Sequence, residues 1–182
     1  STKIAVSMMG IPEFKHVILR YFNVAGADPD GRLGQSTPNA THLIKVACQT
    51  ALGQRENLDL FGTDYPTPDG TGVRDYIHVT DLARAHVLAL NWLEQGNPSE
   101  IFNCGFCHGF SGRDIISAVQ DVSGCRLNVR SAGRRPGDPA ELVAAPGKIA
   151  QAFNWTPEYD DLRFIVRTAY AWEQHQRFGA GQ

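Results

Sequence analysis

Several things are missing from these 182 residues, and each absence narrows what the chain can be. No apolar run approaches the roughly 20 residues of a membrane-spanning helix, so no membrane partner is expected. There is no excess of charge of one sign: 17 Lys and Arg stand against 19 Asp and Glu, a formal net charge of -2. That balance gives no electrostatic reason to expect nucleic acid. The opening residues Ser1-Thr2-Lys3-Ile4-Ala5-Val6 lack the anatomy of a signal peptide and lack an initiator Met, which fits a trimmed chain or a fragment. Repeats and low-complexity segments are absent. Cysteine is sparse, with four residues, Cys48, Cys104, Cys107 and Cys125. Cys104-Gly-Phe-Cys107 has the spacing of a redox or half-zinc motif, but no second Cys-x-x-Cys supplies the further ligands, and His108 is awkwardly adjacent. Ordinary reduced thiols and a redox or metal role both remain open, and the usage fits a reducing cytoplasm.

What is present suffices for one core, since 42% of the residues are hydrophobic. Val17-Ile18-Leu19-Arg20-Tyr21-Phe22 reads as a buried strand, and the Gly-, Asp-, Asn- and Pro-rich stretch 23–38 as a loop. The spacing predicts a helix over 41–52, with Leu43, Val46, Ala47 and Thr50 on one face and Gly53 beyond its end. Strands are predicted at 58–61, 101–104 and 127–130, with extended segments at 73–79 and 142–144. Thr80-Asp81 opens the strongest helix, with Leu82, Ala85, His86, Ala89 and Leu93 at helical spacing and Gly96 as its stop. Ser111 is placed to cap a helix through Val122. Residues 148–153 make a helical turn or two, and an amphipathic helix over about 159–176 turns Leu162, Ile165, Val166, Ala169 and Trp172 inward. Strands alternating with helices predict an α/β chain with mainly parallel strands, whose long loops are where such folds place their chemistry.

Three constellations stand on those loops. In Arg20-Tyr-Phe-Asn23-Val-Ala-Gly26 a strand ends in Asn-x-x-Gly, where an amide can meet a polar ligand, or the motif is only a strand-end turn. In Asp64-Tyr-Pro-Thr-Pro-Asp69-Gly-Thr-Gly-Val-Arg74-Asp75-Tyr-Ile-His78-Val-Thr-Asp81, the Arg74 guanidinium can grip a phosphate bidentately or pair with a local Asp. There Asp75 and His78 read as helix-entry or core groups, and Asp81 as a first-turn carboxylate favoured by the helix dipole. In Arg134-Arg135-Pro-Gly-Asp138, cations suit an anion and the carboxylate accepts from hydroxyls; the alternative is a solvated charged turn. The stretch Asn103-Cys-Gly105 to Gly109-x-Ser111 can hold an anion at a helix start, or is a tight strand-to-helix connection. Two arginines on separate loops, Arg74 and Arg135, suggest a diphosphate.

Together these residues resemble UDP-glucose 4-epimerases of the extended short-chain dehydrogenase/reductase group. The resemblance rests on Leu19-Arg-Tyr-Phe-Asn-Val-Ala-Gly-Ala27, on the block from Phe61 to Ala83, on Phe102-Asn-Cys-Gly105 and on Arg134-Arg-Pro-Gly-Asp138. It implies an α/β fold, a partial Rossmann-like parallel sheet carrying the substrate-binding subdomain of an extended short-chain dehydrogenase/reductase. Residues 1–182 would form the C-terminal part of an NAD-dependent epimerase. Carried over residue by residue, it implies that Arg74 and Arg135 hold the diphosphate of a UDP-sugar and Asp138 its ribose, with Asn23 near the sugar-phosphate. Phe61, with the backbone around Asp59, would contact uracil, and Leu142 would limit the sugar accepted. Tyr21 and Phe22 would lie beside the nicotinamide of NAD.

The departures are as informative. A ligand-holding Asn of some members is replaced near His42, and the common Asp-Ala-Ser-Lys stretch reads Ala145-Pro-Gly-Lys148. The family's Gly-rich NAD fingerprint is absent. So is the Tyr of its Tyr-x-x-x-Lys pair, in which the Tyr takes the sugar O4 proton while NAD takes hydride from C4. Lys3 is either the lysine of that pair or an ordinary residue. The resemblance therefore implies a UDP-sugar cradle of galactose metabolism, inactive alone. The alternatives are a UDP-pentose or UDP-N-acetylhexosamine 4-epimerase part, or a non-catalytic or vestigial binding module. The family's homodimer is not implied for a chain without the front half.

Overall fold

The structure, a computed structural model, describes residues 14–179; Lys3 lies outside the described residues. Among these the chain forms nine strands and five helices in alternating order: β1 (Val17–Arg20), β2 (Asn23–Ala25), α1 (Leu43–Ala51), β3 (Leu58–Phe61), β4 (Val73–Arg74), β5 (Tyr76–His78), α2 (Val79–Glu94), β6 (Glu100–Asn103), β7 (Phe110–Ser111), α3 (Gly112–Ser123), β8 (Val129–Ala132), β9 (Glu141–Leu142), α4 (Gly147–Phe153) and α5 (Leu162–Gly179). Pairing is parallel for β1 with β6, β2 with β5, β3 with β8 and β4 with β9, and antiparallel only for β4 with β7. The alternation therefore gives the expected parallel α/β architecture, in short separate ladders rather than one continuous sheet.

The apolar pattern accounts for most elements. The fully buried side chains Leu58, Ile77, Phe102, Ile115, Val119, Ile149, Ile165 and Val166 come from strands and helices alike and belong to one core. Helix α3 packs on α1 and α5. It starts as the sequence predicts. Ser111 accepts from the Asp114 N–H at 3.0 Å while Asp114 accepts from the Ser111 N–H at 2.8 Å, a reciprocal cap. Gly124 at φ 68° ends it. In α5, Leu162, Ile165 and Val166 are buried, as their spacing predicts.

Four details differ from the sequence expectation. Tyr21 and Phe22 leave the ladder after Arg20, and the predicted loop at Asn23 opens instead with β2. The Asn23 N–H donates to the Asp75 carbonyl at 3.2 Å, which draws three residues into register with β5. In α1 the buried stripe is rotated: Ile44, Lys45, Ala47 and Cys48 are inside, because the helix is covered on two sides. Asp81 is more than a first-turn carboxylate. It is fully buried and accepts from the Glu158 and Tyr159 N–H groups, each at 2.9 Å, fastening that segment to the start of α2. His86, at helical spacing with the core positions of α2, is exposed and meets the Tyr21 ring edge-on at 6.4 Å.

Most buried polar side chains are paired, as burial requires, while the buried Trp155 indole N–H has no hydrogen-bond partner among the described residues. Lys45 forms an ion pair with Glu173 and donates to the Gln35 carbonyl at 3.0 Å, so the 28–36 segment, α1 and α5 meet at one cation. His78 caps α2: its Nδ1 accepts from the Thr80 N–H at 3.2 Å, and its Nε2 lies 3.2 Å from Thr168 Oγ1. Gly26, at φ 83°, passes so close that a Cβ there would collide with the His78 ring.

Candidate functional site

The three constellations lie on or beside loops held in place by carboxylates, of which Asp75 is buried and Asp69 half-buried. Asp75 follows Arg74 directly and is 2% exposed; it accepts from the Phe106 N–H at 3.1 Å and the Ala144 N–H at 3.2 Å. Burial pushes its pKa up, against the pull of those two N–H groups. The position ties the ends of β4, β6 and β9 together, and it explains Gly105, where a Cβ would collide with the Asp75 carboxylate. Asn103 to Ser111 thus reads as a tight connection around Asp75. Asp69 fixes the preceding loop. Its Oδ1 accepts from the Thr71 N–H at 2.8 Å and hydroxyl at 2.7 Å, and its Oδ2 accepts from the Ser111 hydroxyl at 2.5 Å. Burial acts to raise its pKa, but the Ser111 and Thr71 hydrogen bonds together win and hold it below the usual value.

On that scaffold Arg74 stands at the centre. Its Nη1 donates to the Val73 carbonyl at 2.8 Å, and its Nη2 is 3.4 Å from Asp138 Oδ1. The carboxylate partner is therefore the one on the distant turn, not a local Asp. Arg74 is largely buried, with 17% of its side chain exposed against 44% for Asp138. Leu142 sits opposite Arg74 across the β4–β9 ladder and is 36% exposed. Arg135 lies over the Phe61 ring at 4.0 Å from its centre, and Phe61 is itself half-exposed at the end of β3. Arg134 turns the other way, over the Tyr65 ring at 4.4 Å, with Nε 2.8 Å from Asp64 Oδ1. That hydrogen bond holds the Asp64 pKa below its usual value.

The structure thus brings Arg74 to Asp138 and Arg135 to Phe61, with Leu142 beside Arg74. Asn23 joins through its neighbour in register, Tyr76, and its backbone bond to Asp75. Tyr21 and Phe22 project at the β1–β2 junction, 43% and 38% exposed. His42 pairs with Gln35, Nδ1 to Nε2 2.9 Å, at the start of α1. Sequence reasoning assigned no role to Asp64, Tyr65 and Asp69. The one available signal was the density of Asp and Thr in a loop whose glycines demand special backbone geometry.

The other sulfur and acid groups are arranged differently. Cys104 is buried, with its pKa pushed up to about 11 by burial, and Cys48 likewise to about 12. Cys107 and Cys125 are exposed, and all four thiols are free. Among the described residues no three His, Cys, Asp or Glu side chains are grouped to hold a metal ion. No helix among them is long and apolar enough to cross a membrane. A concavity of about 540 Å³ lies between the 28–31 turn and α5, lined by Asp28, Phe164, Arg167 and Trp172. It contains none of the candidate ligand-binding residues, and size alone gives it no chemistry.

Comparison with known proteins gives a consistent answer. Residues 2–105 match the NAD dependent epimerase/dehydratase family. The chain is 55% identical over 168 residues to a UDP-glucose 4-epimerase of Azospirillum brasilense, covering 92% of this chain and 48% of that protein. It is similar in structure to the UDP-glucose 4-epimerase of Bifidobacterium longum solved with NAD+ and UDP, at TM-score 0.88 and 31% identity, covering 98% of this chain and 53% of that one. It is also similar to the UDP-Glc/GlcNAc 4-epimerase of Campylobacter jejuni, at TM-score 0.76 and 49% identity, covering 96% and 53%. The chain therefore spans about half the length of the curated relatives it matches.

Proposed function

As the chain belongs to the NAD dependent epimerase/dehydratase family, we propose that it forms the UDP-sugar-binding part of a UDP-glucose 4-epimerase of the cytoplasm and is inactive by itself. In this reading residues 1–182 are the C-terminal part of such an enzyme, with residual Rossmann elements interleaved with the substrate subdomain. The observation that carries it is that a single turn, 134–138, brings Asp138 to Arg74 and Arg135 to Phe61. A diphosphate between Arg74 and Arg135 would be gripped by two guanidinium groups from separate loops. Asp138 accepts from ribose hydroxyls, and uracil lies against Phe61. Asn23 reaches the sugar-phosphate, and Leu142 borders the sugar.

NAD, when bound, supplies hydride exchange at the sugar C4. The exposed rings of Tyr21 and Phe22 are apolar planes suited to lie beside a nicotinamide. They are a small part of a cofactor site, because the chain carries no Gly-rich fingerprint and no Tyr-x-x-x-Lys pair. Lys3 is the candidate for the lysine of that pair.

A UDP-N-acetylhexosamine or UDP-pentose 4-epimerase is the second reading. It is favoured by the half-exposed Leu142 beside Arg74 and by the naming of the Campylobacter jejuni relative for both UDP-Glc and UDP-GlcNAc. A substrate panel on the protein restored to the length of its relatives separates the two: clear preference for UDP-glucose rejects the second reading. Calorimetry with UDP tests the cradle itself. Saturable binding is expected, with a loss of about a hundredfold or more in Arg74→Ala, since a buried phosphate-facing cation is removed. A well-folded chain that binds no UDP marks the module as vestigial.

A further inference from the structure

We infer that Arg134 is a positioning residue that clasps the 134–138 turn to the 62–72 loop through Asp64 and Tyr65, and thereby sets where Arg135 and Asp138 stand. The inference rests on the UDP-sugar reading of the site. Two adjacent arginines of one turn are used in opposite ways. Arg134 is committed within the protein: Nε donates to Asp64 Oδ1 at 2.8 Å, Nη2 donates to the Asp64 carbonyl, and the guanidinium plane lies over Tyr65 at 4.4 Å. The Arg135 guanidinium hydrogen-bonds to no described residue and rests on Phe61, which leaves its donors for a ligand. The distinction is invisible in the dipeptide, because the two side chains are chemically identical.

The far side of the clasp is rigid. Tyr65 is 7% exposed, and its N–H donates to the Gly70 carbonyl at 2.9 Å. Its ring fills the space over Gly62, where a Cβ would collide with it. The Tyr65 hydroxyl donates to the Asp138 carbonyl at 3.4 Å, so both ends of the turn are fastened to the same loop. That loop is in turn fixed by Asp69 to the start of α3. A force on Arg134 is therefore carried to the backbone of Asp138, one residue whose carboxylate faces Arg74. Exposed ion pairs add little to global stability, so the clasp acts on geometry at the site rather than on folding.

The test uses the chain with Asp64→Ala, Arg134→Ala, Arg134→Lys and the double variant Asp64→Ala/Arg134→Ala. Each alanine variant is expected to weaken UDP binding, on the order of tenfold for Arg134→Ala, with the double variant no weaker than Arg134→Ala alone, because that substitution already removes the contact that Asp64→Ala breaks. Arg134→Lys keeps the charge but loses the fork and the stack, so its affinity falls between. Thermal midpoints stay unchanged, and amide exchange at Gly137 and Asp138 accelerates in Asp64→Ala. If Arg134 instead bound phosphate directly, Asp64→Ala would leave UDP affinity unchanged or tighter, which overturns the clasp. Full affinity in Arg134→Lys overturns it also, as does unchanged exchange at the turn in Asp64→Ala. Failure of the unsubstituted chain to bind UDP sinks the functional reading, and the exchange measurement then decides the clasp alone.

Discussion

At the scale of single residues the clearest chemistry is that of His78. Its Nδ1 accepts from the Thr80 N–H, so the proton sits on Nε2 and points at Thr168 Oγ1. A second proton on Nδ1 would face a donor and break the cap of α2. Burial therefore holds the His78 pKa below its ordinary 6.5, and the nearby Asp81 and Asp28 offset this only in part. The sign follows: the folded form disfavours the proton, so stability is full above pH 6.5 and is lost as pH falls through that value toward the folded pKa. His78→Asn keeps an N-cap acceptor but cannot titrate. Its denaturation midpoint is expected to fall less between about pH 7 and 5 than that of the unsubstituted chain. Equal slopes for both proteins would place the titration elsewhere. The sequence offered His78 as a helix-entry or a core group, and it is both. What the sequence could not supply was Thr168, because that partner comes from an element 90 residues away.

Among elements the decisive contact is the Lys45–Glu173 pair between α1 and α5, whose side chains are 6% and 5% exposed. Breaking a buried pair by removing one partner leaves an uncompensated charge, at a cost of about 3–5 kcal/mol. Lys45→Met is therefore expected to lower stability by about that amount in a chemical denaturation experiment, whereas Lys45→Met/Glu173→Leu is expected to be near neutral. Additive losses in the double variant would mean that the helices depend on the pair itself. Helix existence was legible here and the buried face was not. The amphipathic pattern of 41–52 marks one apolar stripe, whereas a helix covered from two sides can bury a lysine whose partner lies 128 residues on. Strands with a strong apolar run, such as β1 and β3, were equally legible. Short strands such as β2 and β7 were not, since two or three residues carry no periodicity and their pairing is imposed by the partner.

At the scale of the whole molecule, the positions proposed to meet a UDP-sugar come from three separate ladders: Asn23 from β2, Phe61 from β3, and Arg74 and Leu142 from the paired strands β4 and β9. Their types and loop positions were legible in the sequence. Which arginine meets which ring was not, because that depends on side-chain placement across loops 70 residues apart. A ligand that touches several separate ladders ties them together, so its binding should register as stability of the entire chain. By mass action, UDP at a hundred times its dissociation constant adds about 2.7 kcal/mol, which for a chain of this size raises the thermal midpoint by about 5–10 °C. Uridine, with no diphosphate for Arg74 and Arg135, is expected to give little rise at the same concentration. Turnover is expected to be absent: UDP-galactose incubated with the chain and NAD stays unconverted, because the chain carries no Tyr-x-x-x-Lys pair to move the O4 proton. A midpoint shift with UDP and no conversion separates binding from chemistry, assigning the first to these residues and the second to residues they lack. Conversion at a measurable rate would overturn that division. A midpoint that ignores UDP at saturating excess would mean that the ladders are held by their own core alone, with no cradle formed between them.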